Sequence, residues 1–107
     1  MVILGNHDYH GNSQAQLEYG ALSSRWQMPA RYFVRSLKID EAATADFFHL
    51  DTTPMIKSYY HEKKTKDKVV MQDVPAQMAW FKTALQASKA KWKIVVGHHP
   101  IYSGGEH

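Results

Sequence analysis

The sequence predicts an α/β fold, with helices between the strands of an open sheet. Three observations predict it. Short apolar or aromatic runs, among them Val2-Ile3-Leu4, Tyr32-Phe33-Val34 and Ile94-Val95-Val96, are too short for helices and stop at Gly or polar turn residues. Two longer segments between them read as helices from capping signals and apolar spacing. The resulting order is strand, loop, helix, strands, helix, strand, loop, with no internal repeat.

Val2-Ile3-Leu4 stops at Gly5 and reads as the end of a buried strand entering a loop. That loop, Gly5 to Asn12, holds Asn6, His7, Asp8 and His10. Ser13-Gln14-Ala15-Gln16 has the spacing of a capping box, so a helix is predicted from Gln14 to about Ser24. Leu17 and Gly20-Ala21 share one of its faces, and Trp26 and Met28-Pro29 break it. Tyr32-Phe33-Val34 and Leu37-Lys38-Ile39 are strand material with alternating faces. A further strand, Asp46 to Asp51, ends at Thr52-Thr53-Pro54. Residues 55–72 read as an irregular, lysine-rich connection. Asp73 then caps a helix with Pro75 in its first turn, where a missing N–H costs nothing. Met78, Phe81 and Leu85 recur at helical spacing, with Trp80 and Ala84 beside them, to about Ala90. Lys93 to Val96 is the last strand, and the loop after Gly97 carries His98, His99 and Pro100. Both histidine-rich loops thus follow the carboxyl end of an apolar strand, the edge where open α/β sheets form ligand sites.

Composition bounds the function. A chain of 107 residues is at most one ordinary domain, or part of a larger one. Such a chain can bury roughly 65% of its unfolded surface. No apolar run is long enough to cross a membrane, and Met1 to Leu4 is too short for a signal-peptide core. The absence of cysteine excludes disulfides, a Cys-ligated zinc and thiol catalysis. The net charge is +3, and five lysines between Lys57 and Lys68 carry most of the excess. That tract has no Arg and no extension into a basic helix, so it reads as a solvated loop and not as a nucleic-acid surface. Seven histidines are the more informative excess, and five of them fall near the two ends.

Gly5-Asn6-His7-Asp8 is the sharpest local signal. Asn offers a neutral amide oxygen to a cation, His a ring nitrogen or a proton, and Asp a carboxylate that can fix the imidazole's tautomer. The same four residues also suit a Gly-Asn turn whose polar side chains satisfy the backbone. Gly97-His98-His99-Pro100 is the second signal, and it too has a plain alternative, a solvent-facing histidine pair. His107 closes the chain after Ser103-Gly104-Gly105-Glu106.

Taken together, these pieces resemble the metallophosphoesterase (calcineurin-like phosphoesterase) superfamily, and within it the small, tartrate-resistant type of purple acid phosphatase. The resemblance rests on Gly-Asn-His-Asp followed by Gly11-Asn12, Arg25-Trp26-Gln27-Met28-Pro29 leading to Tyr32-Phe33, and Leu50-Asp51-Thr52. It continues through Trp80-Phe81 with Leu85, Val96-Gly97-His98-His99-Pro100-Ile101-Tyr102-Ser103, and Glu106-His107. It implies a partial αββα sandwich, a mixed sheet flanked by helices, with residues 1–107 as the central part of a single domain truncated at both ends. It also implies a hydrolase acting on phosphate monoesters through a dinuclear centre, Fe(III) beside Fe(II), Zn(II) or Mn(II). By that likeness Asn6 and His98 ligate the divalent metal. His7 and His107 face the substrate phosphate, and Asp8 is a partner that orients His7. No family role carries over to His10 or His99, while His49 and Asp51 read as structural. A secretory, lysosomal or periplasmic placement is suggested by the resemblance alone.

Two cations roughly 3.5–4 Å apart would clamp phosphate oxygens and lower the pKa of a bound water. The family pattern also needs residues absent from this sequence: an upstream Asp strand and Gly-Asp-x-x-Tyr, and a downstream Gly-His-x-His. A dinuclear centre carries roughly four or five positive charges that anionic ligands must offset, and the matched ligands here are both neutral. The isolated chain is therefore expected to hold the metal pair poorly, to have little activity, and to expose an edge or apolar face at Ile94-Val95-Val96. Two other readings compete: a metal-free interaction or regulatory module on a phosphatase scaffold, and a two-metal nuclease or cyclic-nucleotide phosphodiesterase. Arg25-Trp26 and Glu106-His107 argue against the last.

Overall fold

A computed structural model gives the fold and describes residues 1–105. Three strands, β1 (Phe33–Lys38), β2 (Thr44–His49) and β3 (Trp92–Val96), form one mixed sheet in the order β1-β2-β3. β1 and β2 pair antiparallel from Phe33↔His49 to Lys38↔Thr44, as one continuous hairpin where the sequence suggested two pieces on the β1 side. Asp40 shapes its turn by accepting the Ala42 N–H at 2.7 Å. β2 and β3 pair parallel, from Ala45↔Trp92 to His49↔Val96. A parallel pair needs a long crossover, and residues 50–91 supply it.

The described residues form the α-helices α1 (Ser13–Tyr19), α2 (Lys66–Val69) and α3 (Val74–Ala87), and the crossover carries the last two. Asp73 caps α3 by accepting the Ala76 N–H at 2.8 Å, with Pro75 in the first turn. Phe81 of α3 packs edge-on against the fully buried Phe48 of β2, and Trp80 lies against Tyr32. Met78, expected on the apolar face, is instead exposed. α3 stops at Ala87, short of Ala90, where the Ser88 backbone turns extended and its hydroxyl donates to Asp46 on β2 at 2.6 Å.

Four other expectations need correction. Val2-Ile3-Leu4 is not a strand, although Leu4 is fully buried. The Val2 N–H donates to Gln27 O, but no strand ladder forms there among the described residues. α1 is capped by Asn12, whose side-chain oxygen accepts the N–H groups of Gln14 and Ala15; Ser13 is buried and accepts from Arg31. α1 also ends at Tyr19, short of Ser24, where Gly20 passes tightly by the Trp26 carbonyl and the Trp26 indole donates back to Gln16 O. The connection 55–72 is more regular than expected. It is entered by a 3-10 turn at Thr53–Met55 and holds a second at Lys57–Tyr60 and then α2, anchored by the buried Thr65 and Val69.

Leu4, Tyr9, Met28, Phe33 and Val69 form the main core. β2 is the buried central strand, whereas β3 is an exposed edge, with Trp92 57% and Val95 51% accessible. The apolar exposure expected at Ile94-Val95-Val96 is present at Ile94 and Val95; Val96 is half-buried.

Candidate active site

The two histidine-bearing loops meet. His98 Nε2 lies 3.1 Å from Asn6 Oδ1, two side chains separated by 92 residues of chain. Their approach depends on Gly5. A Cβ there would stand 2.9 Å from Cε1 and Nε2 of the His98 ring, closer than carbon contacts allow. Glycine is required for that approach and not for an unusual φ.

The Gly5 loop folds into a 3-10 turn, Asp8–His10, through Tyr9 N–H to Asn6 O at 3.2 Å and His10 N–H to His7 O at 3.0 Å. The Asp8 carboxylate accepts the Gly5 N–H at 2.8 Å and closes the turn. Residues i and i+3 nearly eclipse in such a turn, which brings the His7 and His10 rings to 4.7 Å. His7 faces solvent, while Tyr9 points the other way and is fully buried.

Asp51 lies under this loop, just past the end of β2 and 1% exposed. Its carboxylate accepts from the Tyr9 phenol and stands 3.7 Å from the Arg31 guanidinium. Arg31 also donates to the Tyr9 oxygen and to Ser13 Oγ. Gln77 of α3 completes the support by accepting the Asp51 N–H at 2.9 Å and donating to its carbonyl at 3.1 Å. Burial pushes the Asp51 carboxyl above its ordinary range, although Tyr9 and Arg31 pull it back. Burial first, and then the neighbouring Asp51, push the Tyr9 phenol far up as well. The phenol therefore stays protonated and serves as a donor.

Thr52 supports the other loop. Its hydroxyl oxygen accepts the His99 N–H at 3.3 Å and lies 2.8 Å from His99 Nδ1. His99 Nε2 lies 3.0 Å from the Tyr59 hydroxyl. Burial, and secondarily His98, push the His99 imidazole below its ordinary value. A neutral ring donates through one nitrogen and accepts through the other, so Thr52 and Tyr59 take opposite roles. The sequence reading missed Tyr9, Arg31, Thr52, Tyr59 and His99 as parts of the site. The Leu50-Asp51-Thr52 run was the available signal. His49 is 3% exposed and stacked on Phe33, away from solvent.

Asn6 and His98 present two neutral donors. Their separation suits neighbouring positions around one six-coordinate cation with bonds of about 2.1 Å. In the present arrangement the pair is hydrogen-bonded, so a cation would have to replace the proton between them. The donors fit part of one metal's shell. Among the described residues no cluster of three or more His, Asp or Glu could hold a metal. His107 lies outside the described residues. Among the described residues, no helix is long and apolar enough to cross a membrane.

Comparison with known proteins bears on this geometry. A family model described as calcineurin-like phosphoesterase matches residues 1–107. Purple acid phosphatase 17 of Arabidopsis thaliana is 39% identical over 114 residues, covering 98% of this chain and 32% of its own length. Tartrate-resistant acid phosphatase type 5 of Mus musculus is 34% identical over 110 residues, 99% of this chain and 33% of its own. Purple acid phosphatase 3 of Arabidopsis thaliana is 36% identical over 113 residues, 98% and 29%. The chain thus spans about a third of the length of the curated relatives it matches. With a mixed sheet flanked by helices and Asn-His-Asp and Gly-His-His loops that meet at its edge, the chain belongs to the calcineurin-like phosphoesterase family, and its relatives over nearly its whole length are purple acid phosphatases.

Proposed function

We propose that this chain is the middle of an acid phosphatase's catalytic domain, and that the whole domain hydrolyses phosphate monoesters at a dinuclear iron-containing centre. The three-stranded sheet would then be one layer of an αββα sandwich. The observation that carries the reading is the 3.1 Å approach of Asn6 Oδ1 to His98 Nε2 at the sheet's edge. In this reading Asn6 and His98 hold the divalent metal, Fe(II), Zn(II) or Mn(II), beside an Fe(III) whose ligands belong to other segments. The metal pair, when bound, supplies a water of lowered pKa and positive charge for the phosphate oxygens.

The chain's own residues bind and orient. His7, exposed at the mouth of the loop, donates from a ring nitrogen to a phosphate oxygen or to the leaving oxygen. By the family likeness, His107 would act at the same phosphate. Asp8 holds the Gly5 N–H, so it orients His7 through the backbone of the turn. Hydrogen bonds to oxygens that gain charge in the transition state lower the barrier more than bonds made equally in the ground state.

The test is to read the coding sequence on both sides and assay the extended protein on p-nitrophenyl phosphate. In-frame Gly-Asp-x-x-Tyr upstream and Gly-His-x-His downstream, with hydrolysis lost in His7→Ala and Asn6→Ala, are expected. Hydrolysis unaffected by both substitutions would defeat the proposal.

A further inference from the structure

We propose that Asp51 and Thr52 are positioning residues that together set the separation of Asn6 and His98, each holding one loop from the end of β2. Asp51 takes the Tyr9 phenol, and Tyr9 lies in the same turn as Asn6, tied to it by its own N–H to Asn6 O. Thr52 takes His99 at both its N–H and its ring, and His99 follows His98 directly. Gly97 adds close packing on the same side, because a Cβ there would stand 2.9 Å from Thr52 Cγ2.

Each loop also has a second brace from the 55–72 connection. Lys68 Nζ donates to the Tyr9 carbonyl at 2.7 Å, and the Tyr59 hydroxyl meets His99 Nε2 at 3.0 Å. Two adjacent residues therefore bridge segments that lie 42 and 47 residues away. β2 is the central strand, paired on both sides, and Leu50 N–H continues the ladder to Val96 O at 2.9 Å. A pair of donors braced from the end of the sheet's central strand keeps its spacing without a ligand, which is how supporting groups preorganise a site. The proposal rests on the phosphatase reading for its catalytic meaning and on the hydrogen bonds alone for its geometry.

The test uses the full chain labelled with 15N at histidine and at the asparagine side chains. Thr52→Val keeps the shape and the methyl but loses the hydroxyl; Thr52→Ser keeps the hydroxyl and loses the methyl; Tyr9→Phe loses one oxygen. Thr52→Val and Tyr9→Phe are each expected to shift the His98 Nε2 and Asn6 amide resonances toward those of unpaired side chains, while Thr52→Ser keeps the wild-type positions. A role in packing alone gives the reverse order, with Ser disturbed and Val not. Unchanged His98 and Asn6 signals in both Thr52→Val and Tyr9→Phe would overturn the proposal. If Thr52→Val does not fold, Tyr9→Phe decides by the same criterion. Titration with Co2+ separates the two ideas. A wild-type chain that takes no Co2+ at Asn6 and His98, with the variants behaving as stated, removes the metal reading and leaves the positioning role standing.

Discussion

Replacing Gly5 by alanine should separate Asn6 from His98 at little cost in stability. The new methyl would lie 2.9 Å from two atoms of the His98 ring and 3.0 Å from a third. Overpacking in a closed core costs about 1–3 kcal/mol. This clash is different, because the neighbour is an exposed imidazole that can swing into solvent. What it gives up is one solvent-accessible hydrogen bond of 3.1 Å, worth about 0.5–1 kcal/mol. For a domain of this size that is a fall in Tm of at most about 8 °C. Gly97→Ala is the matched contrast. Its methyl meets Thr52 Cγ2 at 2.9 Å, and Thr52 is held by His99, so about 1–3 kcal/mol is expected. Thermal unfolding gives the stabilities, and side-chain 15N spectra of His98 give the geometry. An unchanged His98 environment in Gly5→Ala, or a larger loss of stability there than in Gly97→Ala, would refute the reasoning.

Asp51→Asn should be milder than Asp51→Ala. The amide needs no burial of charge and still accepts from Tyr9, whereas alanine leaves the buried Tyr9 O–H without an acceptor and Arg31 without its carboxylate, a cost of about 1–3 kcal/mol or more; urea midpoints would rank them. Asp73→Ala removes the cap of α3 and should cost about 1 kcal/mol, read as lost helical signal and lower Tm. Acidification should weaken the fold. Burial holds the folded His49 pKa below 6.5, so the unfolded chain takes up that proton first and His49's contribution is lost as pH falls through 6.5. Asp46, kept below 3.8 by the Ser36 and Ser88 hydroxyls, adds a second loss in strong acid. Asp51 acts the other way, because its raised folded pKa makes its contribution decline as pH rises above 3.8. Urea midpoints at pH 7.5 and 5.5 should therefore differ less in a His49→Asn variant than in the parent chain.

Most of the fold was legible because its signals are local. The α3 cap at Asp73, the Pro75 turn and the strand runs around Phe48 and Val95 all declare themselves within a few residues. The misreadings have tertiary causes. Asn12 and Ser13 are equally good caps by type, and the choice fell to Arg31, 18 residues on, which claims the Ser13 hydroxyl. Val2-Ile3-Leu4 has strand composition, but a strand also needs a neighbour to pair with. The site divides in the same way. Asn6, His7, Asp8 and His98 stand out by residue type and by their place after apolar runs. Tyr9 and Thr52 do not, and His99 shows its type but not its role, since their partners lie more than 40 residues away and leave no periodic trace. The solvated reading of the lysine tract holds at Lys57, Lys63, Lys64 and Lys66, which are exposed, and fails at Lys68, which is spent on the Tyr9 carbonyl.

Paramagnetic broadening of the isotope-labelled chain by Co2+ tests the shared donor pair most directly. The Asn6 side-chain amide and the His98 imidazole should broaden together, ahead of His10 and His61, at a single weak site that half-saturates well above micromolar metal. Broadening that leaves either of the two untouched, or two ions bound per chain at micromolar concentration, would contradict it.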